Sequence, residues 1–402
     1  MKKIPISLLA GSAAMLLAGL VHAAPAYDPG VSDTGIKIAQ TLPLSGPVSL
    51  YATFGKASLA YFAMIDEQGG VNGRTIDLLL ADDAFSPPKT VEQTRKFVES
   101  DNVFLMFAPV GSAPGIAAQK YLNAKKVPQL FLQSGLARWN DPAHFPWSMA
   151  GLPNYAAEVR AFAKYILANR PAARIAVLWQ NDEFGRSYLD ALKQGLGSAR
   201  DKMIAGSESF ELTDPTVDSQ MISLASSGAD TFLIAATAKQ TIQALKKAGD
   251  LHWKPQLFVA FPAASIPRTY VPAGTDNAIG AISVAVWKNP ADPVFRNDAD
   301  VTAYLQWMAH YYPDGDPNDG LNIAAYFEGE LLVEVLKRCG SDPTRENVMK
   351  QASGFHDLHV GMLRPGIDVS TSPQDYSMFK RFQLVRFDGK ALIPLGDPID
   401  SE

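Results

Sequence analysis

Two hydrophobic periods alternate along this 402-residue chain. Short apolar or β-rich runs stand at 36–42, 75–81, 103–108 and 129–132. Each is short enough for a strand covered on both faces. Between them the apolar residues move to helical spacing. Phe54, Ala57, Tyr61, Met64 and Ile65 mark one face, and Gly69-Gly70 stops that helix. Asn72-Gly73 turns the chain into the next strand. Ser86-Pro87 reads as an N-cap with proline in the first turn, opening a helix that runs to Ser100. A third helix follows at 116–123. This β-α-β-α-β-α-β order predicts a parallel sheet with helices on both faces.

The pattern then repeats. Helices are expected at 154–169, 185–200, 217–227 and 239–248, and strands at 174–179, 203–210, 231–236 and 256–260. Past 280–286 the chain changes character, with long helices at 294–311 and 320–337 and a shorter one at 344–353. It ends in a hairpin, 381–387 and 391–394, with Asp388-Gly389 as a two-residue turn. Helices without strands cannot build a third α/β lobe, so they return to the first sheet and the hairpin to the second. The expected fold is α/β: two Rossmann-like lobes with parallel sheets, joined by three hinge crossings around a cleft. Lobe 1 takes 32–150 plus 283–354, and lobe 2 takes 151–282 plus 355–402.

Composition changes this picture at three points. Lys2 and Lys3 followed by the apolar stretch 6–20 and Val21-His22-Ala23 read as a secretory signal over 1–23, which implies export to the periplasm. Its removal takes the net charge from −5 to −7, which disfavours nucleic acid as a partner. Cys339 is the single cysteine, so no internal disulfide is possible and stability must come from a large core. It reads as structural. His356 and His359 beside Asp357 lack a third ligand in view. The acidic stretch 314–320 misses the calcium-loop register, with Asp319 at the glycine position and Ala325 at the last ligand. It reads as a polar turn before a helix. There is no Gly-x-Ser-x-Gly, no P-loop and no His-Glu-x-x-His, which favours binding over turnover with no cofactor or metal.

One loop carries candidate chemistry. Residues 109–115 hold two prolines and two glycines between a buried strand and a helix. Free N–H groups at such a junction suit an anion or a carboxylate; the same composition also suits a plain tight connection.

Pro43-Leu44-Ser45-Gly46-Pro47, Gly69-Gly70-Val71-Asn72-Gly73-Arg74, Asp82-Asp83, Pro88-Lys89, Pro109 to Ser112, Phe184-Gly185 and Phe387-Asp388-Gly389 stand in an informative order. Together they resemble the leucine/isoleucine/valine-binding family, the periplasmic receptors of ABC importers, over 32–400. The resemblance implies the type I solute-binding fold, a ligand between hinged lobes, a membrane permease as partner and a monomer. Members hold an amino acid's carboxylate from two first-lobe loops, which match Val110-Gly111-Ser112 and Ser134-Gly135. Gly111 and Gly135 stand where hydroxyls are common. The acid and the tyrosine that hold the ammonium match Pro262, or Phe261 beside it, and Phe184. A disulfide common in the family would fall near Phe85 and Val110 and is absent.

A buried ammonium without an anionic partner is costly, so the expected ligand lacks one. Tyr51, Phe184, Phe261 and Trp287 are candidates for an aromatic wall, with core packing as the other reading of each. Residues 135–142, with Phe145-Pro146-Trp147 after them, resemble a subgroup that takes up aromatic acids. The expected ligand is therefore a benzoate- or hydroxycinnamate-like carboxylate. Arg138 either pairs with that carboxylate or fixes the hinge through an acidic partner. Thr237 and Ala238 add hydrogen bonds on closure. A branched-chain amino acid or amide as ligand, and a periplasmic sensor, are the alternatives.

Overall fold

The computed structural model describes residues 27–401, so the leader expected over 1–23 lies outside the described residues. Strands β1 (Gly35–Leu42), β2 (Thr75–Asp82), β3 (Leu105–Phe107), β4 (Gln129–Leu132) and β5 (Ser148–Ala150) form one all-parallel sheet in the order β2-β1-β3-β4-β5. Helices Thr53–Glu67, Pro87–Glu99 and Ser112–Ala124 make the connections. The central strand β3 is buried throughout, as its continuous apolar run requires.

The second sheet contains β6 (Ile175–Gln180), β7 (Ile204–Phe210), β8 (Thr231–Ala235), β9 (Gln256–Val259), β10 (Ile282–Ala285), β11 (Arg381–Phe387) and β12 (Leu392–Pro394). Their order is β12-β11-β10-β9-β8-β6-β7, and β13 (Ile399–Asp400) also pairs with β11. Pairing is parallel from β7 to β10 and antiparallel from β10 outward. The expectation of a parallel sheet is thus corrected here. The short hairpin makes β11 and β12 antiparallel to each other, and β11 also enters the sheet antiparallel to β10. Because β10 belongs to this sheet, residues 283–285 lie with the second lobe, not at the start of the first lobe's returning segment.

Other boundaries differ for local reasons. The run 103–108 pairs as a strand only over β3. Arg345 takes the Phe104 and Val103 carbonyls at 2.8 Å, and Ala108 turns to φ 46°. The helix expected over 294–311 begins at Ala299, where Asp298 caps it by accepting from the Asp300 and Val301 N–H groups. Ser86 makes no side-chain cap, although its helix starts as expected. In the terminal hairpin the Asp388 N–H bonds the Ala391 carbonyl, so the tight turn is Gly389-Lys390, one residue late.

Helices Ala299–Tyr311 and Gly320–Cys339 pack on Thr53–Glu67, which returns them to the first lobe. The second and third crossings run side by side: Lys288 N–H bonds the Met362 carbonyl at 2.7 Å and Arg364 N–H bonds the Val286 carbonyl at 2.9 Å. Cys339 is buried, and burial pushes its thiol up to about 12, which suits a packing role. Among the described residues no helix is long and apolar enough to cross a membrane.

Candidate functional site

A cavity of about 1040 Å³, counted with its open mouth, lies between the lobes. On the first lobe the loop after β3 reaches it through Val110, Gly111 and Ser112. The Val110 N–H bonds the Thr41 carbonyl and the Gly111 N–H bonds the Gln133 carbonyl, which pins the loop to both neighbouring strands. Helix Ser112–Ala124 starts immediately afterwards without a side-chain cap. Pro114 carries no N–H and the Gly115 N–H bonds the Gly111 carbonyl, so the Ser112 and Ala113 amides are the two left for an acceptor. The Ser112 and Ser134 hydroxyls are 2.7 Å apart, and the Trp139 indole N–H donates to Ser134 at 2.8 Å.

The two glycines of these loops are enclosed. Gly111 has φ 108°, and a Cβ there would run into the Phe85 ring. A Cβ on Gly135 would run into the Pro153 carbonyl and the Tyr155 ring. Aromatic rings thus occupy the space where a side-chain hydroxyl would stand, and Phe85 and Tyr155 both line the cavity. Phe85 is held at a backbone cost: Ala84 and Phe85 have φ 49° and 59°, a region that costs non-glycine residues about 1–3 kcal/mol each. Two carboxylates stabilise that turn. Asp82 accepts from the Leu44, Ser45 and Ala84 N–H groups, and Asp83 accepts from the Phe85 N–H and the Thr90 hydroxyl. Burial pushes the Asp83 carboxyl up to about 6 against those hydrogen bonds.

The second lobe supplies Phe184, Thr237, Phe261 and Pro262. Phe184 meets Tyr155 edge-on at 5.3 Å, and Phe261 tilts against Trp287 at 5.4 Å. Behind them Glu158 is fully buried. It accepts from the Tyr188 hydroxyl at 2.6 Å and the Phe261 N–H at 2.9 Å, and burial still pushes its carboxyl up to about 8. It supports the wall but does not line the cavity.

Charged and polar contacts join the lobes across the cavity. The Tyr51 hydroxyl donates to the Pro262 carbonyl at 2.8 Å. The Arg268 guanidinium pairs with Asp319, donates to the same Pro262 carbonyl and lies 4.9 Å from the Tyr51 ring centroid. Arg268 and Asp319 are 6% and 11% exposed, so their attraction is little screened. Asp319 also accepts from the Leu321 N–H at the start of helix Gly320–Cys339. Lys288 and Arg364 line the cavity too, with their charges answered outside it by Asp298, Asp300 and Asp292. Among the described residues no aspartate or glutamate lines it.

The expected site residues fall into two groups. Tyr51, Val110, Gly111, Ser112, Phe184, Thr237, Phe261 and Pro262 line the cavity. Ser134 and Gly135 stand behind Ser112 and Tyr155, and Ala238 is buried at the first turn of its helix behind Thr237. Arg138 is exposed on the outer face, a correction to both roles considered for it. Its Nε and Nη2 donate to Gln119, and its guanidinium lies over Phe145 at 5.5 Å. The sequence reading missed Phe85 and Tyr155 as wall residues and Arg268, Lys288 and Arg364 as cations of the cleft.

Two α/β lobes joined by three passes around such a cavity define a two-lobed ligand receptor. The chain belongs to the periplasmic binding protein family, whose family model matches residues 35–391. It is 25% identical over 379 residues to Leu/Ile/Val-binding protein homolog 7 of Brucella suis biovar 1, covering 89% of this chain and 88% of that protein. The fold is similar to a substrate-binding periplasmic protein of Ralstonia solanacearum, with TM-score 0.80, 22% identity and 90% and 100% of the two chains covered. It is also similar to a branched-chain amino acid ABC transporter protein of Thermus thermophilus solved with bound valine, with TM-score 0.82, 15% identity and 92% and 97% coverage.

Proposed function

We propose that this chain is the periplasmic solute receptor of an ABC importer and that it captures a small aromatic carboxylate without changing it chemically. The observation that supports this most is the makeup of the wall. Aromatic rings enclose the space, and among the described residues Arg268, Lys288 and Arg364 are its charged side chains and no carboxylate faces it to meet an ammonium. The acid group would sit at the start of helix Ser112–Ala124, on its free amides and the Ser112 hydroxyl. The Ser112 and Ser134 hydroxyls share a hydrogen bond and the Trp139 N–H donates to Ser134; with Ser134 donating to Ser112, the Ser112 hydrogen would be left for the ligand. Burial of the ring in the cleft supplies most of the affinity, and the charge-assisted site supplies orientation. The closed cleft would then dock on a membrane permease.

Capture of a branched-chain amino acid is the second reading, favoured by the name of the Brucella relative. A thermal-shift panel separates the two. Benzoate and hydroxycinnamates at a hundredfold excess over their dissociation constants should add about 2.7 kcal/mol of stability and raise Tm. Leucine, isoleucine and valine should leave it in place. A shift with those amino acids alone would defeat the aromatic-acid reading.

A further inference from the structure

We infer that the unpaired N–H groups of Arg268 and Trp287 are further anchoring donors in the cleft and that the preferred ligand is an aromatic acid carrying an oxygen acceptor on its ring. This rests on the aromatic-acid reading of the cavity and narrows it to a substrate class. Arg268 Nε–H and Trp287 Nε1–H are both buried without a hydrogen-bond partner. Both residues line the same cavity. Buried donors are almost always satisfied, and an unsatisfied one destabilises its site. A ligand that supplies the missing acceptor removes that cost on binding.

The two donors are held in place. The other guanidinium nitrogens of Arg268 are committed, Nη1 to Asp319 and Nη2 to the Pro262 carbonyl at 3.2 Å, and the group lies over the Tyr51 ring. Trp287 is clamped between Phe261 at 5.4 Å and Phe327 at 5.9 Å. Both groups donate and neither accepts, so a phenolic hydroxyl, a methoxy group or a second carboxylate satisfies them. A methyl group or a hydrogen leaves them unpaired. Sites built to hydrogen-bond a substituent discriminate strongly against analogues that lack it.

The test is isothermal titration of the mature protein with the three hydroxybenzoates and 4-hydroxycinnamate, each beside its methyl counterpart and the unsubstituted acid. At least one hydroxy acid should bind about tenfold or more tighter than its methyl counterpart. That ratio should shrink in Trp287→Phe, which keeps a ring in the stack, and in Arg268→Lys, which keeps a cation for Asp319. Melting curves without ligand confirm that both variants fold. If aromatic acids bind but no hydroxy acid beats its methyl counterpart, or the ratio survives both substitutions, the anchoring role of these donors is refuted and the aromatic-acid reading stands. If no aromatic acid binds at all, both fall together.

Discussion

The Tyr51 hydroxyl of the first lobe donates to the Pro262 carbonyl of the second at 2.8 Å, 211 positions away in the chain. This bond exists only while the lobes are together, so it stabilises closure over the cavity. Tyr51→Phe keeps the ring beneath Arg268 and removes only the hydroxyl. One lost bond of about 1 kcal/mol should weaken ligand binding about fivefold, mainly through faster release, as stopped-flow dissociation would record.

Arg268 and Asp319 act in the same direction with more energy. Asp319→Asn preserves a helix-capping side chain but leaves the guanidinium buried without its counter-charge. Affinity should fall about tenfold or more. Small-angle scattering of the unliganded variant should show a larger radius of gyration than the wild type. An unchanged radius would remove this pair from the closure mechanism.

Gly111→Ala should destabilise the whole chain, not only the site. The φ of 108° is unfavourable for alanine, and the new methyl runs into Phe85. A cost of about 2–3 kcal/mol would lower Tm by about 3 °C, readable by calorimetry without ligand.

Glu158 makes stability depend on pH. Burial raises its carboxyl in the folded protein to about 8, whereas an unfolded glutamate titrates near the ordinary value of 4.5. Between these values the folded state holds the proton more tightly than the unfolded chain. Stability is therefore full below the lower value and declines as pH rises toward the upper one. Glu158→Gln carries no proton to lose, so its unfolding free energy should vary less between pH 5 and 8 than that of the wild type, by about 1.4 kcal/mol per pH unit at most, as denaturant titrations at each pH would record.

Arg138→Ala should leave affinity for any captured acid within about twofold of wild type, because the side chain faces away from the cavity and bonds Gln119. A large loss in titration calorimetry would place Arg138 back in the cleft.

Much of the fold was legible in the chain because buried strands must be apolar and their loops small. The runs at β1 and β4, the helix stop at Gly69-Gly70 and the return of the terminal hairpin all follow from that rule. β5 was not legible, since Ser148–Ala150 is three residues long and flanked by Pro146 and Gly151. The site was half legible for a different reason. Val110 to Ser112 follow a buried strand, so their place at its end is dictated by topology. Arg138 lies only three residues after Gly135, but the short turn Ala137–Trp139 buries Trp139 and sends Arg138 outward. Phe85 adopts a backbone conformation that nothing in its identity announces. Arg268 sits in a segment punctuated by Pro262, Pro267 and Pro272, which reads as loop and folds as a wide turn of π-helix over Ile266–Tyr270.

The rings seated against Gly111 and Gly135 also constrain how this receptor can diverge. A serine at 111 is excluded while Phe85 keeps its ring, and trimming Phe85 alone opens a void that nothing fills. At 135 the Pro153 carbonyl blocks the route as well. Neither replacement is tolerated singly, and removing the facing ring leaves the φ of 108° at 111 and the Pro153 carbonyl at 135 in place, so a hydroxyl returns at either position only with a change in the path of the loop. Laboratory libraries that vary 85 and 111 together remove the clash but keep that backbone cost, so loop length has to vary with them.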